Sequence, residues 1–421
     1  MRTLLFQFAI MFSGILMGQE TITLSDCQDM AREHAPRGAD LELIRQMGDI
    51  NIEQAGTSLY PSLNLNGKLS YQSDVVTVEL SNPVIPVAFP EVPHDQYGLN
   101  LDITQNIYDG GISKSKKGYE EAMTDADLQQ VEVDLYGLKG KVNQFYFAIL
   151  VLQENRRNLD IQMDNLEARY GVVQTAVANG ILQETDIHVI EVEKLKVEQA
   201  IVEVESRKKS YLGALRVLCG EGVKDDAVLE MPRFEGVEYA GMNRPEQKLF
   251  DLKHTTMERG KELAGKKRMP VLYAFGQAGY GKPGYNMLSE KWDYYYMVGA
   301  GLRWKIWDWS NSAREKQLIG YQQQILENKR TTFDREMESM MVQEEARMEQ
   351  YRKTMEMDRE VLDLQKKISA QAAVQLENGT MTATEYITES NKENLARITL
   401  ATHQVLLMQS MANYLTIQGN L

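Results

Sequence analysis

Several features that narrow down a protein's function are scarce in this chain of 421 residues. It has two cysteines, Cys27 and Cys219, which are too few for a disulfide framework, and the sequence leaves open whether they meet. Beyond residues 1–18, no apolar run approaches the ~20 residues of a membrane-spanning helix; the longest covers residues 145–152. The net charge of −14 disfavours a nucleic-acid partner. A membrane protein of this composition must therefore span the bilayer with strands.

Patterns that support catalysis or metal binding are also missing. The five histidines are dispersed, and no Gly-x-Ser-x-Gly nucleophile motif occurs. Residues 276–282 nearly spell a phosphate-binding loop, but Pro283 replaces the hydroxyl residue that would reach Mg²⁺. A set of methionines at heptad-compatible spacing is formed by Met337, Met341, Met348 and Met355. Thioethers bind soft metals, but this spacing favours core packing. We therefore predict a protein that is not an enzyme and has no cofactor or bound metal.

Residues 1–18 have the pattern of a secretory signal peptide. Arg2 precedes an apolar stretch that ends at Met17 and Gly18. Cleavage near Gly18 is expected, so the mature chain is predicted to be exported.

The second half of the chain repeats the first. Pro61 pairs with Pro270 at an offset of 209 positions, whereas Gly180 pairs with Gly379 at an offset of 199. Ile107 already pairs with Ile306 at the offset of 199, so the ten-residue difference falls between Pro61 and Ile107, and an exposed loop tip is where a change in length is tolerated best. The predicted organisation is a first repeat of residues 19–218, a connector of residues 219–243 and a second repeat of residues 244–421.

Each repeat contains long helical segments with apolar residues in steps of three and four, which is the pattern of a coiled coil. At 1.5 Å per residue, the longer segments make rods of roughly 100 Å. An Asn-Gly pair follows each rod and supplies a left-handed stop and turn. The predicted rods are residues 112–178 and 183–218 in the first repeat and residues 311–377 and 382–418 in the second.

Each repeat also contains a predicted β-hairpin, at about residues 61–108 and 270–308. Apolar and polar residues alternate along the strands, and aromatic residues crowd the strand ends, as in a membrane barrel. A water-soluble sheet with one packed face alternates in the same way, so the strands alone leave both interpretations open. Four strands cannot close a barrel, whereas three chains would supply twelve.

The order helix, hairpin, long helix, turn and helix, present twice, resembles the TolC-type outer membrane factors of the outer membrane efflux protein family. These proteins are the exit ducts of bacterial efflux and type I secretion systems. The match covers nearly all of the mature chain, and its order and duplication are more specific than any single motif. The segments that carry it are residues 24–36, 60–63, 105–111 and 243–246 and the turns at residues 179–180 and 378–379.

The resemblance implies a mainly α fold with membrane β: a homotrimer that forms a 12-stranded β-barrel continuous with a 12-helix tunnel. The barrel would lie in the outer membrane of a Gram-negative bacterium, and the tunnel would extend into the periplasm. The resemblance also implies partners, namely a periplasmic adaptor (membrane fusion) protein, an inner-membrane transporter and outer membrane lipid. The exported substrate would be a small molecule or, for type I secretion, a protein. The alternative is a periplasmic coiled-coil scaffold or adaptor without a channel.

The resemblance places two kinds of site at the helix–turn–helix tips. The implied adaptor-docking residues are Gly180, Ile181, Leu182, Gly379, Thr380 and Met381. The implied periplasmic gate is Asp186 with Glu385, each six positions after the glycine of its turn. The competing interpretation is that these acids are solvated residues in the first turn of a helix, where the helix dipole favours negative charge. Some family members have a basic latch residue at the position of Met381, which this chain lacks.

Overall fold

The fold is described from a computed structural model. It describes residues 21–76, 92–234, 241–287 and 289–421. The predicted signal peptide, residues 1–18, lies outside the described residues, and so does most of the segment between the strands of the first hairpin.

The first half of the chain runs from a short strand through helices and a hairpin to a pair of long helices. The elements are β1 (Thr21–Ile22), α1 (Leu24–His34), α2 (Asp40–Gly56), β2 (Ser62–Tyr71), β3 (Asp95–Tyr108), α3 (Ile112–Tyr136), α4 (Leu138–Ala178), α5 (Glu184–Cys219) and β4 (Val228–Leu229). Strands β1 and β4 pair in parallel.

The second half follows the same order. Its elements are α6 (Pro245–Lys266), β5 (Val271–Lys282), β6 (Asp293–Arg303), α7 (Asn311–Glu377) and α8 (Ala383–Gln418). The predicted fold class, a mainly helical chain with a duplicated helix–hairpin–long helix–turn–helix order, is confirmed.

The two long helical segments differ in one respect that their apolar periodicity does not predict. Helix α7 is continuous, whereas the corresponding segment of the first half is divided at Gly137 into α3 and α4. Gly137 keeps helical backbone angles, with φ −59° and ψ −20°, and its N–H donates to the carbonyl of Val133 at 3.0 Å. Glycine weakens a helix because it has the largest backbone freedom to lose. The apolar periodicity continues through this point and therefore gave no sign of the division.

The chain forms two compact units that do not coincide with the two sequence repeats. The first unit takes the described residues of Met1–Ala39, Glu132–Pro245 and Phe333–Leu421. The second takes those of Asp40–Val131 and Glu246–Thr332. Each unit thus combines segments from both repeats, because equivalent parts of the repeats pack on each other.

The second unit contains a four-stranded antiparallel sheet in the order β2-β3-β5-β6. The hairpins of the two repeats join through β3 and β5, so β2 and β6 are the edges and each is paired on one side. The segment that resembled a phosphate-binding loop, residues 276–282, lies within β5 and ends in the hairpin.

The two faces of this sheet differ in polarity. On one face the register places Leu65 beside Leu101, and Ala278 beside both Leu101 and Tyr296. These side chains are open to the surroundings of the chain, since Leu65 is 67% and Tyr296 79% exposed. The opposite face carries hydrogen-bonded polar side chains: Asp102 accepts from Asn66 at 2.6 Å and from Gln277 at 2.7 Å. A sheet with its apolar face uncovered in the single chain differs from a soluble sheet with one packed face.

The first unit contains the main hydrophobic cores. In one of them α1, α4 and α5 meet around the fully buried Tyr146, Phe147 and Ile149. Cys27 and Cys219 belong to this core, and the Cys219 thiol donates a hydrogen bond to the Cys27 carbonyl at 3.2 Å. The structure thereby answers the question that the sequence left open, because the two cysteines meet.

The methionines of α7 are packing residues, as their spacing predicted. Met341, Met348 and Met355 are buried against Leu407 and Tyr414 of α8.

The apolar positions of these helices are spaced rather than continuous. Within the described ranges, none of the helices carries an apolar stretch long enough to cross a membrane.

Candidate functional site

The two helix–turn–helix tips of the first unit have the same backbone geometry. After α4, Gly180 has φ +73°, its N–H donates to Val177 at 2.9 Å, and the N–H of Ile181 donates to Ala176 at 2.9 Å. After α7, the same pair of bonds forms at 3.0 Å and 2.9 Å around Gly379, which has φ +67°. Both turns are Schellman motifs, in which a glycine in the left-handed region closes the helix. The Asn-Gly pairs of the sequence predicted these stops.

The two turn glycines have different surroundings. A Cβ atom added to Gly180 would meet no atom within 4 Å from the described residues other than its chain neighbours. A Cβ atom added to Gly379 would lie 2.7 Å from Cγ2 of Ile181, which belongs to the other turn. The second turn is therefore packed against the first, whereas the glycine of the first turn faces open space.

The two predicted gate acids both lie in the first turn of a helix and cap it. Glu385 forms a capping box with Thr382: its carboxylate accepts from the Thr382 N–H at 3.0 Å, and the Thr382 hydroxyl accepts from the Glu385 N–H at 3.3 Å. In the first tip, the carboxylate of Asp186 accepts from the N–H of Gln183 at 3.1 Å. Both acids thus satisfy donors that a helix start leaves without partners.

Asp186 also accepts a hydrogen bond from the other tip, and among the described contacts Glu385 has no equivalent one. Its second carboxylate oxygen accepts from the N–H of Ala383 at 3.0 Å. Ala383 is the first residue of α8 and is buried, so this N–H needs a partner. The carboxylate of Asp186 therefore links the starts of α5 and α8.

Glu385 differs from Asp186 in that it is exposed. The hydrogen bonds from the backbone and the hydroxyl of Thr382 lower the pKa of the Glu385 carboxyl, because they stabilise its ionised form. Glu385 is thus a carboxylate at the surface of the tip that stays charged at neutral pH.

A further charged contact joins the tips and has no signal in the sequence pattern. The Arg169 guanidinium of α4 pairs with the carboxylate of Glu377, the last residue of α7. The same guanidinium lies 5.8 Å from the ring centre of Tyr386 on α8, within the range of a cation–π contact. Its partners are about two hundred positions away in the chain, so no local pattern could reveal this role.

A polar layer interrupts the apolar core of the same helices. The Gln162 amide of α4 donates to Asn391 at 3.0 Å, and Asn391 donates to the buried carboxylate of Glu193 at 2.8 Å. Asn394 also donates to Gln162, at 2.5 Å. Buried polar groups in a coiled coil fix its register at some loss of stability.

The six predicted docking residues have unequal exposure. Ile181 is 53% exposed and is the large apolar side chain that the first turn presents. Leu182 and Met381 are half-buried and pack against a hydrophobic core of the first unit that contains Leu376 and Tyr386. The other three residues, Gly180, Gly379 and Thr380, are exposed.

Comparison with solved structures shows the fold. The chain is similar to the outer membrane protein VceC of Vibrio cholerae, with 12% identity, a TM-score of 0.67 and coverage of 94% of this chain and 96% of that one. It is similar to the MtrE outer membrane channel of Neisseria gonorrhoeae, with 14% identity, a TM-score of 0.67 and coverage of 94% and 88%. It is also similar to the CmeC outer membrane channel of Campylobacter jejuni, with 14% identity, a TM-score of 0.64 and coverage of 94% of this chain and 85% of that one.

Comparison of the sequence with protein families also finds a family of outer membrane proteins. The outer membrane efflux protein family matches residues 29–221, which lie almost entirely within the first repeat. No curated protein sequence matches the chain. The family model thus matches part of the chain, and the solved structures show that the chain has the fold of outer membrane channels such as MtrE and CmeC, which confirms the resemblance to the TolC-type outer membrane factors.

Proposed function

We propose that three copies of this chain form a passive exit duct for small molecules, or for proteins in type I secretion. The observation that carries the proposal is the sheet: among the described residues its edge strands β2 and β6 are each paired on one side only, and its apolar face is exposed. An open edge leaves backbone N–H and C=O groups without partners, and in lipid each such group is costly. Pairing β6 of one copy with β2 of the next would close twelve strands with the apolar face toward lipid and the Asp102 face toward the lumen.

The alternative, a periplasmic scaffold or adaptor without a channel, has less support. Such a protein would be surrounded by water and would be expected to bury an apolar sheet face. Here the side chains on that face of all four strands include large exposed apolar groups, for example Leu63, Leu99, Tyr280 and Val298.

Engineered cysteines test the trimer directly. One cysteine in β2 at Leu65 and one in β6 at Tyr296 should cross-link neighbouring copies into closed trimers that survive denaturing electrophoresis. Several positions along β6 would be tried in turn, to find the register between copies. The matched control places the pair at Leu101 and Ala278, which are partners within one chain and should yield monomers only. A folded, monodisperse monomer in detergent would refute the proposal.

The helix–turn–helix tips are proposed to form the periplasmic end of the duct, where a periplasmic adaptor docks and connects it to an inner-membrane transporter that supplies the energy. Ile181 supports this, because an exposed apolar residue at the point of a turn is suited to a partner. A photo-reactive amino acid at Ile181 should cross-link to an adaptor with a coiled-coil hairpin. The same probe at Val361, an exposed apolar residue in α7, is the control and should not.

Asp186 and Glu385 are proposed to gate this end as a ring of six carboxylates in the trimer, so that the closed duct prefers cations. The support is their equal place in the two tips and the exposure of Glu385. In a planar bilayer, Glu385→Gln combined with Asp186→Asn should weaken cation preference and block by divalent ions. Gln is accepted in a capping box, so Glu385→Gln removes charge while keeping the cap. Unchanged selectivity in an assembled double variant would leave the acids as helix caps only.

A further inference from the structure

A cavity of about 780 Å³ lies in the second unit, between the helices that adjoin the sheet. Its walls are the first turns of α3, the last two turns of α6 and the first turns of α7. None of the sites discussed above uses it.

The lining of this cavity is basic. The cationic residues are Lys114, Lys117, Arg259, Lys266 and Lys316, against two carboxylates, Glu121 and Glu262. Arg259 is paired with Glu262 at 3.2 Å. The four lysines form no ion pair with any residue in the described part of the chain. In a chain of net charge −14, five cations around one cavity are a local reversal of the overall charge.

The helix ends next to the cavity do not supply this positive charge. Asp109 accepts from the N–H of Ser113 at 2.7 Å at the start of α3, and Asp308 accepts from that of Ser312 at 3.0 Å at the start of α7. Both helix starts are already capped by the chain's own carboxylates. Attraction for an anion therefore comes from the cationic side chains, chiefly the four lysines, because Arg259 is paired with Glu262.

The sequence places the cavity next to one end of the sheet. Helix α3 begins four residues after β3 ends, and α6 ends five residues before β5 begins. Exposed aromatic residues mark this end of the sheet: Tyr60, Tyr108, Trp304, Trp307 and Trp309. Aromatic girdles of strands that cross a membrane lie at the level of the lipid headgroups. If the sheet spans the outer membrane, as the proposed function requires, the cavity lies at the headgroup level of one leaflet.

We propose that this cavity binds the phosphate group of an anionic phospholipid of the outer membrane, on the side where the helices leave the sheet. Ammonium groups bind phosphate as point charges, and clusters of lysines beside a membrane recognise anionic headgroups. The volume accommodates a glycerophosphate headgroup rather than a single ion. The lipid would fasten the duct at a fixed depth in the membrane.

Native mass spectrometry of the detergent-released protein tests this proposal. The probes are phosphatidylglycerol, zwitterionic phosphatidylcholine and inorganic phosphate. The cavity variant combines Lys114→Gln, Lys117→Gln, Lys266→Gln and Lys316→Gln. The control variant combines Lys209→Gln, Lys329→Gln, Lys366→Gln and Lys367→Gln, which remove the same charge from lysines outside the cavity.

We expect the cavity variant to bind phosphatidylglycerol on the order of tenfold more weakly than the wild type, while the control changes by less than about threefold. Equal loss in both variants would overturn the proposal in favour of net charge. Displacement of the lipid by equimolar inorganic phosphate would overturn a lipid site in favour of a free anion.

The same spectra separate this proposal from the proposed trimer, because they report the number of chains and the bound lipid together. A cavity variant that falls apart into monomers while the control remains trimeric would show that the lysines contact a second copy, and would also overturn the lipid site. A wild-type monomer that still binds phosphatidylglycerol would contradict the trimer but not the site.

Discussion

The two tips are duplicates in sequence and in backbone, yet they are not equivalent in the folded chain. Both end their long helix with the same glycine-centred turn, and both place an acid three residues after the cap of the next helix. The glycine of the second turn lies against Ile181, and the start of α8 is held by Asp186, whereas the glycine of the first turn has open space around it among the described residues. When a duplicated element packs against its own copy, residues at corresponding positions make different contacts and therefore contribute differently to stability. Matched substitutions in the two tips can therefore measure the asymmetry.

The largest effect is expected at the turn glycines. Alanine in the left-handed region costs about 1–2 kcal/mol at either position. At Gly379 the added methyl group also collides with Cγ2 of Ile181, a β-branched side chain with little rotamer freedom, which adds about 1–3 kcal/mol. Thermal unfolding of the detergent-solubilised protein should therefore show a lower Tm for Gly379→Ala than for Gly180→Ala. Equal Tm values would mean that the two turns do not contact each other in the assembled protein.

The next effect concerns the acids. Asp186→Ala removes a cap from α5 and also the partner of the buried Ala383 N–H, so we expect a loss of about 1–2 kcal/mol. Glu385→Ala affects the cap of α8 alone and should destabilise less. Limited proteolysis within residues 378–386 provides a local readout, because Asp186→Ala should expose the second tip although the substitution lies in the first. Cleavage confined to the first tip would contradict the link between α5 and α8.

A smaller effect is expected for the Arg169 contact. Arg169→Gln should cost about 1 kcal/mol, since a partly exposed ion pair and a cation–π contact are both modest. Arg207→Gln removes a fully exposed pair within α5 and serves as the control, with no measurable change expected. The readout is the open probability of single channels in a bilayer, which should rise for Arg169→Gln if the contact holds the tips together. Indistinguishable channels would restrict Arg169 to a surface role.

These contrasts also show where sequence reasoning reaches its limit. Residue pairs at fixed offsets predicted the duplicated order, apolar periodicity predicted the helices, and the Asn-Gly pairs predicted both stops. Thr382 and Glu385 could be recognised as a capping box by their spacing alone. The bond from Asp186 to Ala383 joins residues 197 positions apart and depends on how one repeat packs on the other. No pattern within either repeat carries that information. The division at Gly137 is a local feature, but apolar periodicity does not predict it, because a single glycine leaves the spacing of the apolar residues unchanged.

The smallest expected effect is a pH dependence that separates two influences on Glu385. Hydrogen bonds from Thr382 lower the pKa of its carboxyl, so its capping contribution is complete above the ordinary value of 4.5 and is lost as pH falls through the lowered folded value. Crowding of six carboxylates in the proposed trimeric ring acts in the opposite direction and would raise some pKa values. Hydrogen exchange in the first turn of α8, corrected for its intrinsic pH dependence, reports the loss of the cap. If capping dominates, the change occurs below pH 4.5 and is absent in Glu385→Gln, whose amide does not titrate. A change above pH 4.5 in the wild type would show instead that repulsion within the ring outweighs the cap.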